Sequence, residues 1–330
     1  MIKEIIRVIK RNTIDKILFW NKSRKCFTYD FKTIYGNSLE GKESVRKIET
    51  RIMLGLHQLE KGMTYKDSAR IFGESKALSV VNEVKKLQKI GHQSEIVNLA
   101  INVLNEYLKN QNSTKDEKIR KSISQLINEN GAAVGKYHAG IKVVSEPPTF
   151  DVEKVKEFFF SRHSVREFSK EAITDEEIIR VVDFANCTPT ACNRQTSRVH
   201  VYRDPNVMKA LIDNQLGDQN WCHNAIAIFV ITSDLNCFNS NYEHLQAFVD
   251  GGLYAMNFDW GLHLFHIASC YKMYVRLPKI DQEFHKLSGI PDNEVPIVLI
   301  LAGHYKDTPI ISPKSVRFPA FANNNLCLHS

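Results

Sequence analysis

The chain has 330 residues, 43% of them hydrophobic and 25% charged, with a formal net charge of +7; this is enough for two domains or one elaborated domain around a full core, with the balance of a soluble globular protein. No run of about 18 apolar residues occurs, which argues against a membrane-spanning helix, and the charges scattered through Met1–Arg7 argue against a secretory signal. The seven cysteines (26, 187, 192, 222, 237, 270 and 327) are odd in number, scattered and without a CxxC pair, so no disulfide framework is expected and the setting reads as cytoplasmic.

The positive charge is concentrated at one end. Residues 1–25 carry eight Lys or Arg against Glu4 and Asp15, a net of +6, which leaves +1 for the rest of the chain. Such a stretch can meet an anionic membrane surface weakly, or an acidic partner. A solvated helix face, with Lys and Arg stems over apolar surface, is the preferred reading. No nucleic-acid motif accompanies it.

In chain order, Ile2, Ile5, Ile6, Ile9, Ile17 and Leu18 have the spacing of an amphipathic helix over 2–18. Residues 24–37 hold aromatics and a Tyr-Gly-Asn turn signal and are expected to be irregular. Helical periodicity returns over 44–63, with Gly62 expected as a C-cap residue. It continues over 75–90, 93–108 and 116–130, broken at Gly91-His92 and at the polar loop 110–116. His57 and Glu60 lie three apart on one helix face, but no further ligand residue recurs at metal spacing, so no metal site is assigned. Gly131, Gly135, Gly140 and Glu146-Pro147-Pro148 mark the best boundary, dividing a helical region of unknown role (1–150) from a second domain (151–330).

In the second domain, residues 152–160 read as a helix with Val152, Val155, Phe158 and Phe159 on its apolar side. Thr174-Asp175-Glu176-Glu177 is a capping box. The helix it opens runs to about Asn186, with Ile178, Ile179, Val181, Val182 and Phe184 turned inward. Turn residues over 189–197 precede a strand over 198–203, and Asp204-Pro205 opens a short helix. The apolar run 225–232 suits a strand covered on both faces. Residues 243–269 are expected to form the longest helix, in which Gly251-Gly252 mark the close approach of another helix or a cofactor. A helix over 279–288 and a strand over 295–302 complete the pattern, ahead of an irregular tail containing Lys314 and Arg317. Strands and helices interleave without βαβ regularity, and neither GxGxxG nor GxxxxGK[ST] is present, so the class expected is α+β.

Taken alone, Arg162, Ser164 and Arg166 form a cationic and hydroxyl cluster suited to phosphate, which a distant cation such as Arg317 would complete. A surface cluster pairing with Glu167, Glu171 or Asp175 is the competing reading. Their order in the chain adds more. Arg162-His163-Ser164-Val165-Arg166-Glu167-Phe168 resembles the opening Arg-Arg-Ser-x-Arg-x-Phe of the nitroreductase family of flavin enzymes. Pro189-Thr190-Ala191-Cys192-Asn193-Arg194-Gln195 resembles that family's Pro-Ser-x-x-Asn-x-Gln segment. Asp250-Gly251-Gly252 resembles the start of its central helix, and His266 to Tyr271 stands where Gly-Leu-Gly-Ser-Cys-Trp is frequent. The strand running into His304 and the segment Val316-Arg317-Phe318-Pro319 are similar to its closing pieces. The resemblance covers residues 155–319.

What the resemblance implies is a nitroreductase-like FMN-binding fold, with a central, mostly antiparallel sheet flanked by helices, preceded here by the helical region. It also implies a homodimer with FMN at the interface, and reduction of a small electron-poor substrate (a nitroaromatic, a quinone or a biosynthetic intermediate) with NADH or NADPH by ping-pong hydride transfer. By position, Arg162, Ser164 and Arg317 would hold the phosphate with His163 alongside. Arg166 would stand by the flavin N1 and C2 carbonyl, and backbone amides around Tyr271, Lys272 and Met273 would face N5 and O4. Thr190, at the family's Ser, would reach in from the partner chain on a loop shaped by Asn193 and Gln195. No side chain is nominated as catalytic, because the flavin carries the redox chemistry. Departures are His163 for the second Arg, Thr196-Ser197 for Pro-Trp, and His266 and Ala268 for two glycines. Cys187 and Cys192 flank the loop as a candidate redox pair, with buried structural thiols the preferred reading. His263 and His266 read as core and interface polar groups rather than metal ligands. The alternative for the whole protein is a non-catalytic dimeric scaffold whose helical region binds a partner or a membrane surface.

Overall fold

The computed structural model describes residues 15–38, 43–65, 70–217, 219–319 and 326–327. Residues 1–14 of the basic stretch 1–25, and with them most of the expected amphipathic helix, lie outside them. The first described element is helix α1 (Asp15–Ser38). It spans the segment expected to be irregular. Only a narrow stripe of it is anchored: Tyr29 Oη donates to Asp281 at 2.6 Å, Arg276 Nε lies 2.8 Å from Asp30, and Ile34 packs against Leu235 and Phe238. Phe19, Trp20, Phe27 and Phe31 are exposed. A stripe this narrow leaves a weak periodic signal, and Gly36 costs the helix about 1 kcal/mol without stopping it.

The next four helices, α2 (Val45–Met63), α3 (Glu74–Lys89), α4 (Glu95–Lys109) and α5 (Glu117–Glu129), share one core. Ser44, Ser94 and Asp116 cap three of them with side-chain oxygens that accept first-turn amides. Ile52, Leu56 and Leu59 of α2 are fully buried with Val80, Val84, Ile101 and Leu104. Gly62 is not the C-cap expected. The helix runs on to Met63 and is capped by Thr64, while a Cβ at Gly62 would meet the Phe72 ring at 2.3 Å. Glu60 accepts from the Gly140 amide at 3.2 Å, and burial raises its pKa.

The remainder is built on a four-stranded antiparallel sheet in the order β1-β2-β4-β3: β1 (Ser197–Tyr202), β2 (Ala227–Asp234), β3 (Ile267–Met273) and β4 (Glu294–His304). Every residue of β2 is buried, the apolar Ala227–Ile231 as a central strand covered on both faces requires, and the polar Thr232, Ser233 and Asp234 with them. Alternate residues serve opposite faces. Phe229, Ile231 and Ile300 meet helices α7 (Asp175–Ala185) and α9 (Gln246–Leu264), whereas Ile228, Val230, Leu299 and Leu301 meet α8 (Pro205–Asn214) and α10 (Pro278–Ser288). The capping box at Thr174 and Glu177 forms, but Ile179 faces solvent rather than the core.

The expected helix over 243–269 is in fact α9 followed by β3. The chain turns at His266, which holds φ +59°, and Ile267–Met273 continues as a strand. Pairing with β4 decides this segment, which periodicity alone extends as helix. Gly251 does mark a close approach, though to a strand. The β2–β4 register skips Ile297 as a bulge, and a Cβ on Gly251 would meet its side chain at 2.5 Å. Gly252 faces open space. No helix among the described residues is long and apolar enough to cross a membrane.

Candidate flavin site

Helix α6 (Val152–Ser161) delivers the chain to Arg162, whose extended backbone ends the helix. The Arg162 guanidinium is largely buried, with Nε 3.5 Å from Oδ2 of Asp259. Asp259 is a fully buried carboxylate on α9, and it also accepts from the Ser269 hydroxyl. Burial pushes the Asp259 carboxyl up against the opposing pull of Ser269 and Arg162. One guanidinium nitrogen, Nη1 of Arg162, is buried and has no hydrogen-bond partner. A buried, unpaired donor is costly unless something accepts from it.

The next residues are tied to the edge of the sheet. Ser164 bridges to Ser269 in parallel sense, and the Val165 amide donates to the Ser269 carbonyl at 2.9 Å. His163 is exposed. Arg166 lies with its guanidinium 5.4 Å from the Trp221 ring centre, a cation–π contact. It lines a groove of about 430 Å³ with Val165, Glu167, Tyr305, Lys306 and residues 308–311. The C-terminal tail reaches the same place, since Ser312 Oγ donates to the Ser164 carbonyl at 3.4 Å.

β3 is an edge strand, so half of its backbone groups face away from β4. A strand residue's N–H and C=O point to the same side, and the side alternates. Because Ser269 turns its carbonyl to Val165, Tyr271 and Met273 direct their amides to that same open edge. Lys272, expected to share this role, turns its amide into the β4 ladder. Its buried side chain crosses to the other face of the sheet, where Nζ donates to the Leu216 carbonyl at 3.2 Å. Tyr271 Oη donates to the Ala255 carbonyl at 2.7 Å.

The second half of the expected site is the loop after α7. Cys192, Asn193 and Gln195 all have φ between +51° and +53°, a region that costs non-glycine residues about 1–2 kcal/mol each. Arg194, fully buried, holds the loop from inside by donating to the carbonyls of Ala191 and Cys237 (both 2.8 Å) and to Glu243 (2.6 Å). Asp250 accepts from the Ala191 amide, and Thr190 Oγ1 accepts from the Gln195 amide at 3.0 Å. Asn193 and Gln195 are exposed and Thr190 is half-buried.

The two halves are anchored at separate points of one helix. Asp250, which anchors the loop, and Asp259, which anchors Arg162, are nine residues apart on α9, or about 13 Å along its axis. Arg317 is not gathered in either; it is exposed, and its guanidinium donates to the carbonyl of Ser315. Asp259, Asp250, Trp221 and Arg194 are the contributors that sequence reasoning missed. The two acids had a readable signal, as lone carboxylates at α9 positions otherwise apolar; Trp221 had none. Cys187 is exposed and Cys192 half-buried, both as free thiols. His263 sits 2.8 Å from Ser161 Oγ, and burial lowers its pKa. No group of metal-ligating side chains occurs among the described residues.

Residues 160–219, which contain both halves of this arrangement, match the sequence model of the nitroreductase family. The match is confined to these 60 residues. The antiparallel sheet flanked by helices, with the α2–α5 region before it, is the arrangement expected from the sequence. No curated protein matches the chain at a significant level. Among solved structures, a protein of Parabacteroides distasonis, provisionally described as an NADH dehydrogenase/NAD(P)H nitroreductase, is 14% identical over 54% of this chain and 98% of its own, with a TM-score of 0.45. A nitroreductase in complex with FMN from Desulfovibrio desulfuricans is 19% identical over 55% and 98%, with a TM-score of 0.44. An NADH oxidase so described from Clostridium acetobutylicum is 16% identical over 52% and 99%, also at 0.44. At such identities and scores these likenesses say nothing about this chain's ligand or substrate.

Proposed function

We propose that the protein is an FMN-dependent oxidoreductase that uses NADH or NADPH to reduce a small, electron-poor organic compound, and that it works as a homodimer with flavin at the subunit interface. The observation that carries this reading is the buried, unpaired Nη1 of Arg162, pinned by Asp259 beside the open edge of β3. A phosphate oxygen is a fitting acceptor for that nitrogen, and the neighbouring Ser164 adds a hydroxyl donor. Arg317 completes the phosphate site when its guanidinium leaves the Ser315 carbonyl, with His163 at the rim. The amides of Tyr271 and Met273 offer donors along the same edge, and Arg166, steadied by Trp221, supplies a fixed positive charge. FMN held there would supply hydride-transfer chemistry between the nicotinamide and the acceptor. The residues bind and orient it, and none is required as a nucleophile.

The homodimer rests on exposed apolar surface. Leu245, Val249, Leu253 and Leu264 form an uncovered stripe along α9, and Val152, Val155, Phe159 and Phe160 add the outer side of α6. Unpaired surface of this extent marks an interaction face. A second copy laid on it would bring Thr190, Asn193 and Gln195 of the partner subunit toward the Arg162–Arg166 segment, supplying the half whose anchor Asp250 stands about 13 Å along α9 from Asp259. The visible spectrum of the purified protein tests the proposal. Flavin bands are expected, bleached by NAD(P)H without air, and Arg162→Ala or Arg317→Ala should loosen FMN. A colourless protein that takes up no added FMN would overturn it.

A further inference from the structure

The α2–α5 region makes one concentrated contact with the loop 190–196, and it does so through Arg46. This residue stands in the first turn of α2. Its Nη2 donates to two successive loop carbonyls, Arg194 at 3.1 Å and Gln195 at 3.2 Å. Its Nε lies 3.2 Å from Cys237 Sγ and 3.5 Å from Asp234 Oδ2, at the end of β2, and Nη1 bonds Glu49 on its own helix. One planar guanidinium therefore ties the helical region, the end of a central strand and the loop together. A fork of fixed donors can do this; a single ammonium cannot reach the same set.

The loop needs such a tie. Three of its residues occupy the left-handed region, and strained backbone persists only where its surroundings over-determine it. Arg194 supplies the inner constraints and Asp250 one anchor, but the Arg194 carbonyl is held from outside by Arg46, and the Gln195 carbonyl by Arg46 together with Arg198 Nη1 at 3.0 Å.

We propose that the helical region is a buttress for the loop that carries Thr190, Asn193 and Gln195, with Arg46 as the positioning residue that sets the loop's conformation and so the affinity of the flavin site it completes. The second half of this statement rests on the flavin reading; the first does not.

The test uses the full chain with Arg46→Ala and Arg46→Lys, and with Arg51→Ala as the control, because Arg51 pairs with Glu43 and Glu83 inside the helical region. Amide hydrogen exchange of FMN-free protein reads the buttress. In Arg46→Ala, exchange at 191–196 should rise at least tenfold while the core of β2 and β4 is unchanged; Arg46→Lys should fall between, and Arg51→Ala should leave the loop as it was. FMN titration followed by flavin fluorescence reads the consequence, with Kd expected to rise about five- to twentyfold in Arg46→Ala. Unchanged loop exchange overturns the buttress. Faster loop exchange with unchanged FMN affinity overturns the link to the site. If the unaltered protein binds no FMN, the flavin reading and that link fall together, and exchange still decides the buttress. If Arg46→Ala does not fold, Arg46→Lys carries the same comparison.

Discussion

Removing the Arg162 side chain strands the Asp259 carboxylate, and the consequence has a sign and a pH dependence. Asp259 is fully buried, and its nearest cation is Arg162 at 3.5 Å. Breaking a buried ion pair from one side costs about 3–5 kcal/mol. The Arg162 side chain is 19% exposed and makes no short hydrogen bond to the carboxylate, which places the cost nearer about 2–3 kcal/mol. In a chain of this length that is a fall in Tm of about 3–4 °C. The Asp259 pKa is already raised by burial, and loss of the cation raises it further. A carboxyl whose folded pKa exceeds its unfolded value binds more protons in the native state between the two, so stability falls as pH rises through that window. Arg162→Ala should therefore be close to the parent near pH 4–5 and fall behind it progressively toward pH 8. Melting followed by tryptophan fluorescence at a series of pH values measures this. Adding Asp259→Asn to Arg162→Ala should remove the pH dependence and return part of the lost stability. A deficit of the same size at every pH, or a double variant no better than the single, would falsify the assignment of Asp259 as the partner of Arg162.

Three further outcomes follow from the packing. Gly251→Ala should lose about 1–3 kcal/mol, because its Cβ would fall 2.5 Å from Ile297, whereas Gly252→Ala, with open space around it, should gain up to about 1 kcal/mol of helix propensity; denaturant titrations giving equal effects would contradict the bulge geometry. His266→Gly should stabilise the turn between α9 and β3 by about 0.5–1 kcal/mol, since φ at this position is +59°, and a lowered Tm would count against that strain. Val249→Glu with Leu253→Glu on the exposed stripe of α9 should give a monomer by sedimentation that no longer retains FMN; a double variant that remains dimeric and flavin-bound would place the interface elsewhere.

Local signals translated directly into local structure. The helix opened by Asp204-Pro205 and the Thr174–Glu177 box involve partners a few residues away, and both formed as expected; the apolar run 225–232 also became a buried strand. The failures lie where a distant partner decides. Residues 24–37 became helix because Asp281 and Arg276 anchor one stripe of them. Residues 267–273 became a strand because β4 offered an open edge. Gly62 reads as a cap in the local pattern because the Phe72 ring packed against it is not visible there.

The same division runs through the site. From the amino-acid sequence alone came the α+β class, the cationic segment 162–166 and the turn-rich loop 189–195, because these depend on residue type and short spacing. Tertiary structure alone decided that Arg162 is held by a buried acid, that Tyr271 and Met273 rather than Lys272 present amides to the edge, and that Arg46 grips the loop from another part of the chain. It also set the two anchors, Asp250 and Asp259, about 13 Å apart along α9. The physical reason is common to all four: burial, strand alternation and a guanidinium's reach depend on which surfaces meet, and no spacing in the sequence encodes that.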